Sequence, residues 1–200
     1  MNIAMFTNTY LPQVGGVAVS VDRFSAGYRA RGHETLIVAP EYKELPDHEE
    51  NVVRIPAITH WNNSDFSLAL PFSRKLRNAL ERFRPEVFHS HHPFLIGDMA
   101  VRFAAEYEAP VVFTHHTSYE DYTQYAAVEL EELRRYVQRL ATEYGNLCDG
   151  VVAPSESMAE RLRRRGVTSP VRVIPTGVDL ARFREGDGAA ARRRLDIPGD

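Results

Sequence analysis

Eight histidines occur in 200 residues, and five of them fall in two short segments: His89, His91 and His92 in one, His115 and His116 in the other. Both segments end β-branched or apolar runs of the kind that form strands, Glu86–Ser90 and Val111–His115. Imidazole can ligate a metal, move a proton or hold a polar group. Side chains alternate along a strand, so His91 and His92 should face opposite sides, as should His115 and His116. At most two or three of them can then converge. The spacing leaves three readings open: a metal site, one catalytic or polar-contact histidine with the others packing around it, or a structural set.

Two further segments carry chemistry-bearing residues. Thr7-Asn8-Thr9-Tyr10-Leu11-Pro12-Gln13-Val14-Gly15-Gly16 follows the first apolar run and precedes a helical pattern. Paired glycines at a helix start let backbone N–H groups approach an anion, which the helix dipole also favours. The segment is neither Gly-x-Gly-x-x-Gly nor a P-loop, which disfavours a nicotinamide cofactor and a Walker-type ATPase. A tight turn without ligand is the plain alternative. After His116 comes Thr117-Ser118-Tyr119-Glu120-Asp121-Tyr122-Thr123-Gln124-Tyr125. Such polar and aromatic groups suit a hydroxyl-rich ligand, and Thr117 with Glu120 also reads as a capping box.

These residues must be positioned by the elements around them. Strands are expected at Asn2–Phe6, Thr35–Ala39, Val52–Ile55, Glu86–Ser90, Val111–His115, Gly150–Ala153 and Val171–Ile174. Apolar on both faces, they read as a parallel sheet covered by helices. Helices are expected at Val17–Arg31, Ser73–Phe83, Leu95–Glu108, Val128–Tyr144 and Ser155–Arg165, with Gly32, Gly145 and Gly166 as stops. A short Ala/Arg helix, Ala189–Leu195, follows a Gly-containing stretch. Strand–helix alternation of this kind builds a doubly wound, Rossmann-like α/β sheet, in which ligands bind outside the carboxyl ends of the strands.

Composition narrows the class. A hydrophobic fraction of 44% and a charged fraction of 26% are those of an ordinary globular chain. A net charge of −3 argues against a nucleic-acid binder. The lone Cys148 excludes an intrachain disulfide and reads as a small buried side chain. No apolar run reaches the ~18 residues that span a bilayer. The start has no secretory pattern, so the expected location is the cytoplasm. The segment Ser73–Phe83 with Arg84 sets Arg74, Lys75, Arg77, Arg82 and Arg84 against Glu81, with Phe72, Leu76, Leu80 and Phe83 opposite. It reads either as a solvated face or as a contact with the anionic inner face of a membrane.

The strand-one loop Tyr10-Leu11-Pro12-Gln13-Val14-Gly15-Gly16, the helix behind it and Arg31-Gly32-His33-Glu34 resemble the N-terminal domain of family 4 (group 1) retaining glycosyltransferases. So do His89-Ser90-His91-His92-Pro93, Thr114-His115-His116-Thr117, Pro154-Ser155 and Pro175-Thr176-Gly177-Val178-Asp179, in order along the chain. His116-Thr117-Ser118-Tyr119-Glu120-Asp121-Tyr122 is most similar to members that glycosylate diacylglycerol.

The resemblance implies a GT-B enzyme of two Rossmann-like halves, the first mostly for the acceptor and the second for the nucleotide-sugar donor. It implies that Gly15 and Gly16 approach the donor diphosphate, and that His116 is the catalytic position, near the transferred sugar. It places Tyr10, Gln13, His91, Thr117, Tyr119, Glu120 and Tyr122 on the acceptor side. It calls for no cofactor and no divalent metal. The expected division is a Rossmann-like acceptor domain over residues 1–175, with 176–200 as linker and start of a donor domain. The donor would be a UDP- or GDP-hexose and the acceptor a lipid or other hydroxyl. Residues 1–200 alone would be inactive, because the family's Arg/Lys pair and Glu-x₇-Glu segment for the donor belong to the second domain. A metal-dependent hydrolase using the histidines and a non-catalytic binding domain are the alternatives.

Overall fold

Alternating Ile/Ala/Met/Phe in Asn2–Phe6 lets one strand serve two apolar layers, and the rest of the sheet is built the same way. The computed structural model describes residues 1–58, 68–70, 73–116, 131–178, 180 and 184–198. Its strands are β1 (Asn2–Phe6), β2 (Glu34–Pro40), β3 (Val52–Ile55), β4 (Ala57–Ile58), β5 (Leu68–Ala69), β6 (Val87–Ser90), β7 (Val111–Thr114), β8 (Gly150–Ala153) and β9 (Val171–Val173). Its helices are α1 (Gly16–Arg29), α2 (Arg74–Phe83), α3 (Ile96–Glu106), α4 (Glu131–Asn146), α5 (Glu156–Arg164) and α6 (Gly188–Arg194).

Seven strands form one sheet in the order β3-β2-β1-β6-β7-β8-β9, and every pairing is parallel. The order runs outward in both directions from β1 and β6, which makes the β1/β6 junction the topological switch point. Met5 there pairs with Ile37 on one side and His89 on the other. The Rossmann-like expectation is met strand by strand.

The two faces have separate cores. Ala4, Phe6, Val38, Phe88 and Phe113 pack against Leu76 and Leu80 of α2, Ile96 and Met99 of α3, and Ala159 and Leu162 of α5. Ile3, Met5, Ile37 and Ala39 pack against Val21 of α1, with Phe24 and Tyr28 beside them. Helix α1 therefore lies over the second face, where His89 meets the rings of Phe24 and Tyr28.

Local signals set the ends of several helices. Ser73 and Ser155 are N-caps, accepting from the backbone N–H groups of Leu76 and Met158. Gly32 and Gly166 lie at φ +80° and +98°, the left-handed conformation that halts a helix. Gly145 does not act as the expected stop: α4 continues to Asn146, and Gly145 is buried within its last turn beside Val151 and Val167. The two-stranded antiparallel sheet β4-β5 lies outside the expected set. The expected start of α4 at Val128 lies outside the described residues.

Candidate active site

The loops after β1 and β6 and the first residues after β7, His115 and His116, meet at the carboxyl edge beside the switch point. Alternation in β6 sends His89 and His91 to the α1 face, and the same alternation after β7 sends His116 there. His91 Nδ1 and His116 Nε2 are 2.9 Å apart, with the rings stacked at 5.2 Å between centroids. The rings of His89 and His91 lie 4.1 Å apart, tilted by 37°, and His89 Nε2 lies 2.7 Å from the Thr114 hydroxyl. His92 turns the other way and accepts a hydrogen bond from the backbone N–H of Asn8 at 3.0 Å. His115 is buried beside Phe113.

Burial governs the charge of this cluster. Desolvation, reinforced by the neighbouring histidines, pushes His116 down to about 4, and His89 and His92 down to about 3. His91, fully buried, is held well below the usual range by the same causes. These four rings are neutral at pH 7. They act as hydrogen-bonding groups, not as cations.

The partners these rings already have leave few nitrogens for a metal. The 2.9 Å contact uses one nitrogen of His91 and one of His116 on each other, and Nδ1 of His92 is taken by Asn8. Among the described residues no group of three or more His, Cys, Asp or Glu is placed to hold a metal ion.

Gly15 and Gly16 sit at the start of α1, on the same edge of the sheet. Both are exposed, and a Cβ at either would meet nothing within 4 Å. Helix α1 has no side-chain cap and no acidic residue in its first turn. Its N–H groups therefore face open space with the positive end of the dipole behind them.

An unanticipated network holds this loop. Arg54 of β3 is only 4% exposed, in a strand otherwise apolar. Its guanidinium pairs with both carboxylate oxygens of Glu49, at 2.8 and 2.6 Å. It also donates to the carbonyls of Pro40, at 3.0 Å, and Leu11. It lies over the rings of Tyr10 and Tyr42, 5.7 and 5.2 Å from their centroids. Tyr42 Oη accepts from the backbone N–H of Tyr10 at 3.0 Å and donates to the carbonyl of Asn8 at 3.3 Å. The lone arginine in Val52-Val53-Arg54-Ile55 was the available signal, since a charge inside a buried strand must be paired.

The site residues expected from sequence divide accordingly. His91 and His116 come together, and Gly15 and Gly16 lie exposed at the helix start. Tyr10 is 6% exposed and donates its hydroxyl to Asp22 at 3.0 Å, so its side chain faces the loop's interior. Gln13 lies half-buried in the loop. Thr117, Tyr119, Glu120 and Tyr122 lie outside the described residues.

Known proteins share this chain's sequence and fold. Residues 14–182 match Glycosyltransferase Family 4. The alpha-monoglucosyldiacylglycerol synthase of Streptococcus pneumoniae is 32% identical over 92% of this chain and 42% of its own length. The synthase of the same name from Acholeplasma laidlawii is 28% identical, over 92% and 48%. Among solved structures, HepE of Anabaena, crystallised with UDP-glucose, superposes with a TM-score of 0.65 at 13% identity, covering 98% of this chain and 50% of that one. WaaG, a glycosyltransferase involved in lipopolysaccharide biosynthesis, gives a TM-score of 0.59 at 15% identity, over 98% and 52%. The chain thus spans about half the length of the curated relatives it matches. The matched span carries the paired-glycine loop and the His91–His116 pair, and the chain belongs to glycosyltransferase family 4.

Proposed function

We propose that this chain is the acceptor-side half of a retaining hexosyltransferase acting on a lipid hydroxyl, with a UDP- or GDP-hexose as donor. The observation that supports it most is the convergence of the Gly15-Gly16 helix start and the His91–His116 pair on one sheet edge, in a chain whose relatives are named as lipid glucosyltransferases.

On this reading the backbone N–H groups at Gly15 and Gly16 receive the donor diphosphate, where a side chain would stand in the way. His116, neutral and braced by His91, holds a sugar hydroxyl rather than acting as a nucleophile. Gln13 and the segment with Thr117, Tyr119, Glu120 and Tyr122 bear on the acceptor, while Tyr10 and His91 act by holding their neighbours. Residues 1–175 form the acceptor domain, and 176–200 lead to a donor-binding half. Residues 1–200 by themselves transfer no sugar. In a protein carrying both halves, His116→Ala should lower kcat by roughly 10²–10³, the cost of losing one positioned transition-state donor. Wild-type turnover in that variant would move the sugar site elsewhere.

The lipid acceptor would be reached from the membrane surface. No helix among the described residues is long and apolar enough to cross a bilayer. Leu76, Ala79 and Leu80 of α2 are buried, while Arg74, Lys75, Arg77 and Arg82 are exposed. Arg74, Arg77 and Arg102 line a cavity of about 330 Å³ between α2 and α3. Arg77 pairs with Glu106 at 2.8 Å, which leaves Arg74, Lys75 and Arg102 as the better lipid contacts. Each basic residue near an anionic surface contributes about 1 kcal/mol, screened by salt. Sedimentation with anionic vesicles should show binding at low salt and release at high salt, and Arg74→Glu with Lys75→Glu should abolish it. Indifference of the wild type to anionic lipid would leave α2 as a solvated face.

A further inference from the structure

We propose that His92 is held as its Nε2–H tautomer and donates that hydrogen to a substrate oxygen in the switch-point crevice; the identity of the substrate rests on the function proposed above. A backbone N–H can only donate, and that of Asn8 lies 3.0 Å from His92 Nδ1. Nδ1 must therefore present a lone pair. The neutral ring has one proton, which then sits on Nε2. The Thr7 hydroxyl is 3.5 Å from the same Nδ1, but it donates to the carbonyl of Thr9 at 2.8 Å and does not compete.

The ring stays in this state. Protonating Nδ1 would set two N–H groups against each other, and burial also opposes the charge. Its position is fixed from both sides. The His92 carbonyl accepts from Ser90 Oγ at 2.8 Å, and the Asn8 side chain donates to the carbonyl of Phe94 at 3.4 Å. Behind it, Gly97 of α3 packs so closely that a Cβ there would lie 2.0 Å from the His92 oxygen.

The placement gives the tautomer its use. His92 follows β6 by two residues and is bonded to the residue two beyond β1, so it spans the switch point itself. Nδ1 and Nε2 flank the same ring carbon, Cε1, and their bonding directions diverge widely. With Nδ1 facing the β1 loop, Nε2–H faces away from it. A neutral Nε2–H recognises an oxygen acceptor, such as a sugar hydroxyl or a phosphate oxygen, and does not ligate a metal through that nitrogen.

Two substitutions separate the two ends of the ring. His92→Asn places a carboxamide oxygen where Nδ1 was and removes the distal donor. His92→Gln keeps a donor near Nε2 and loses the acceptor for Asn8. Long-range proton–nitrogen NMR on this chain should show Nε2 protonated and Nδ1 bare at pH 7. In a protein carrying both halves, His92→Asn should keep its melting temperature and lose roughly 10- to 100-fold in kcat/KM. His92→Gln should melt earlier and retain more kcat/KM than His92→Asn. A raised KM for the nucleotide sugar assigns the oxygen to the donor, and a raised KM for the lipid assigns it to the acceptor. An Nδ1–H tautomer, or His92→Asn with wild-type kinetics toward both substrates, overturns the proposal. A wild-type protein that transfers no hexose overturns the proposed function instead and leaves the tautomer to be judged by NMR.

Discussion

Gly97→Ala should damage this fold far more than a single methyl suggests. An added Cβ would lie 2.0 Å from the His92 carbonyl oxygen, and 3.0 Å from both the His92 carbonyl carbon and Tyr144 Oη. Two of these neighbours are backbone, so no side-chain rotation relieves the clash. The start of α3 must move away from the β6 loop by about an ångström. Overpacking of this kind costs about 1–3 kcal/mol. The shift also strains the hydrogen bond from Tyr144 Oη to the Gly97 carbonyl, 3.0 Å long and buried. Losing it adds about 1–2 kcal/mol. A total of about 2–5 kcal/mol lowers the melting temperature by roughly 4–20 °C in a chain of this size. Gly27→Ala is the control. Its Cβ meets only the end of Arg31, at 3.6 Å, inside a regular helix, so it should raise stability by about 0.5–1 kcal/mol. Thermal unfolding followed by circular dichroism reads both. Equal melting temperatures for Gly97→Ala and the wild type would refute the close approach of α3 to His92.

Arg54→Met should leave the half-buried Glu49 without its partner and the Pro40 and Leu11 carbonyls without their donor, and cost about 1–3 kcal/mol, with amide exchange rising first in residues 8–16; uniform exchange across the sheet would contradict the tethering role. Stability should be flat between about pH 7 and 8 and fall as the pH drops through 6.5, because the unfolded histidines take up protons that folded His89, His91, His92 and His116 refuse. Each contributes up to about 1.4 kcal/mol per pH unit until its own depressed value is reached, and denaturant midpoints at pH 7, 6 and 5 check the slope. Cys148, 4% exposed and pushed up to about 12 by burial, should resist a thiol reagent in the folded chain and react on unfolding.

The sheet was legible because periodicity and chain order report it directly. Asn2–Phe6, Val52–Ile55 and Gly150–Ala153 fall on the expected bounds, and Ser73 and Ser155 cap the expected helices. Gly145 misled because a glycine halts a helix only where its backbone turns left-handed, as at Gly32 and Gly166; Gly145 does not and stays inside α4. Alternation correctly sent His91 and His92 apart, yet sequence could not join His91 to His116, because that pairing depends on the register of β6 beside β7. The Arg54 network was hidden for the same reason. Its partners Tyr10 and Leu11, Pro40 and Tyr42, and Glu49 come from three separate segments.

The most direct measurement is hexose transfer by a protein carrying this chain and its donor-binding half. It should be supplied with labelled UDP-glucose or GDP-mannose and lipid acceptors in mixed vesicles, in the presence of a chelator. The account predicts a glycolipid whose anomeric configuration matches that of the donor, formed without added metal and lost in His116→Ala. A folded protein that transfers no hexose from either donor to any lipid, or whose activity is hydrolysis abolished by the chelator, would contradict it.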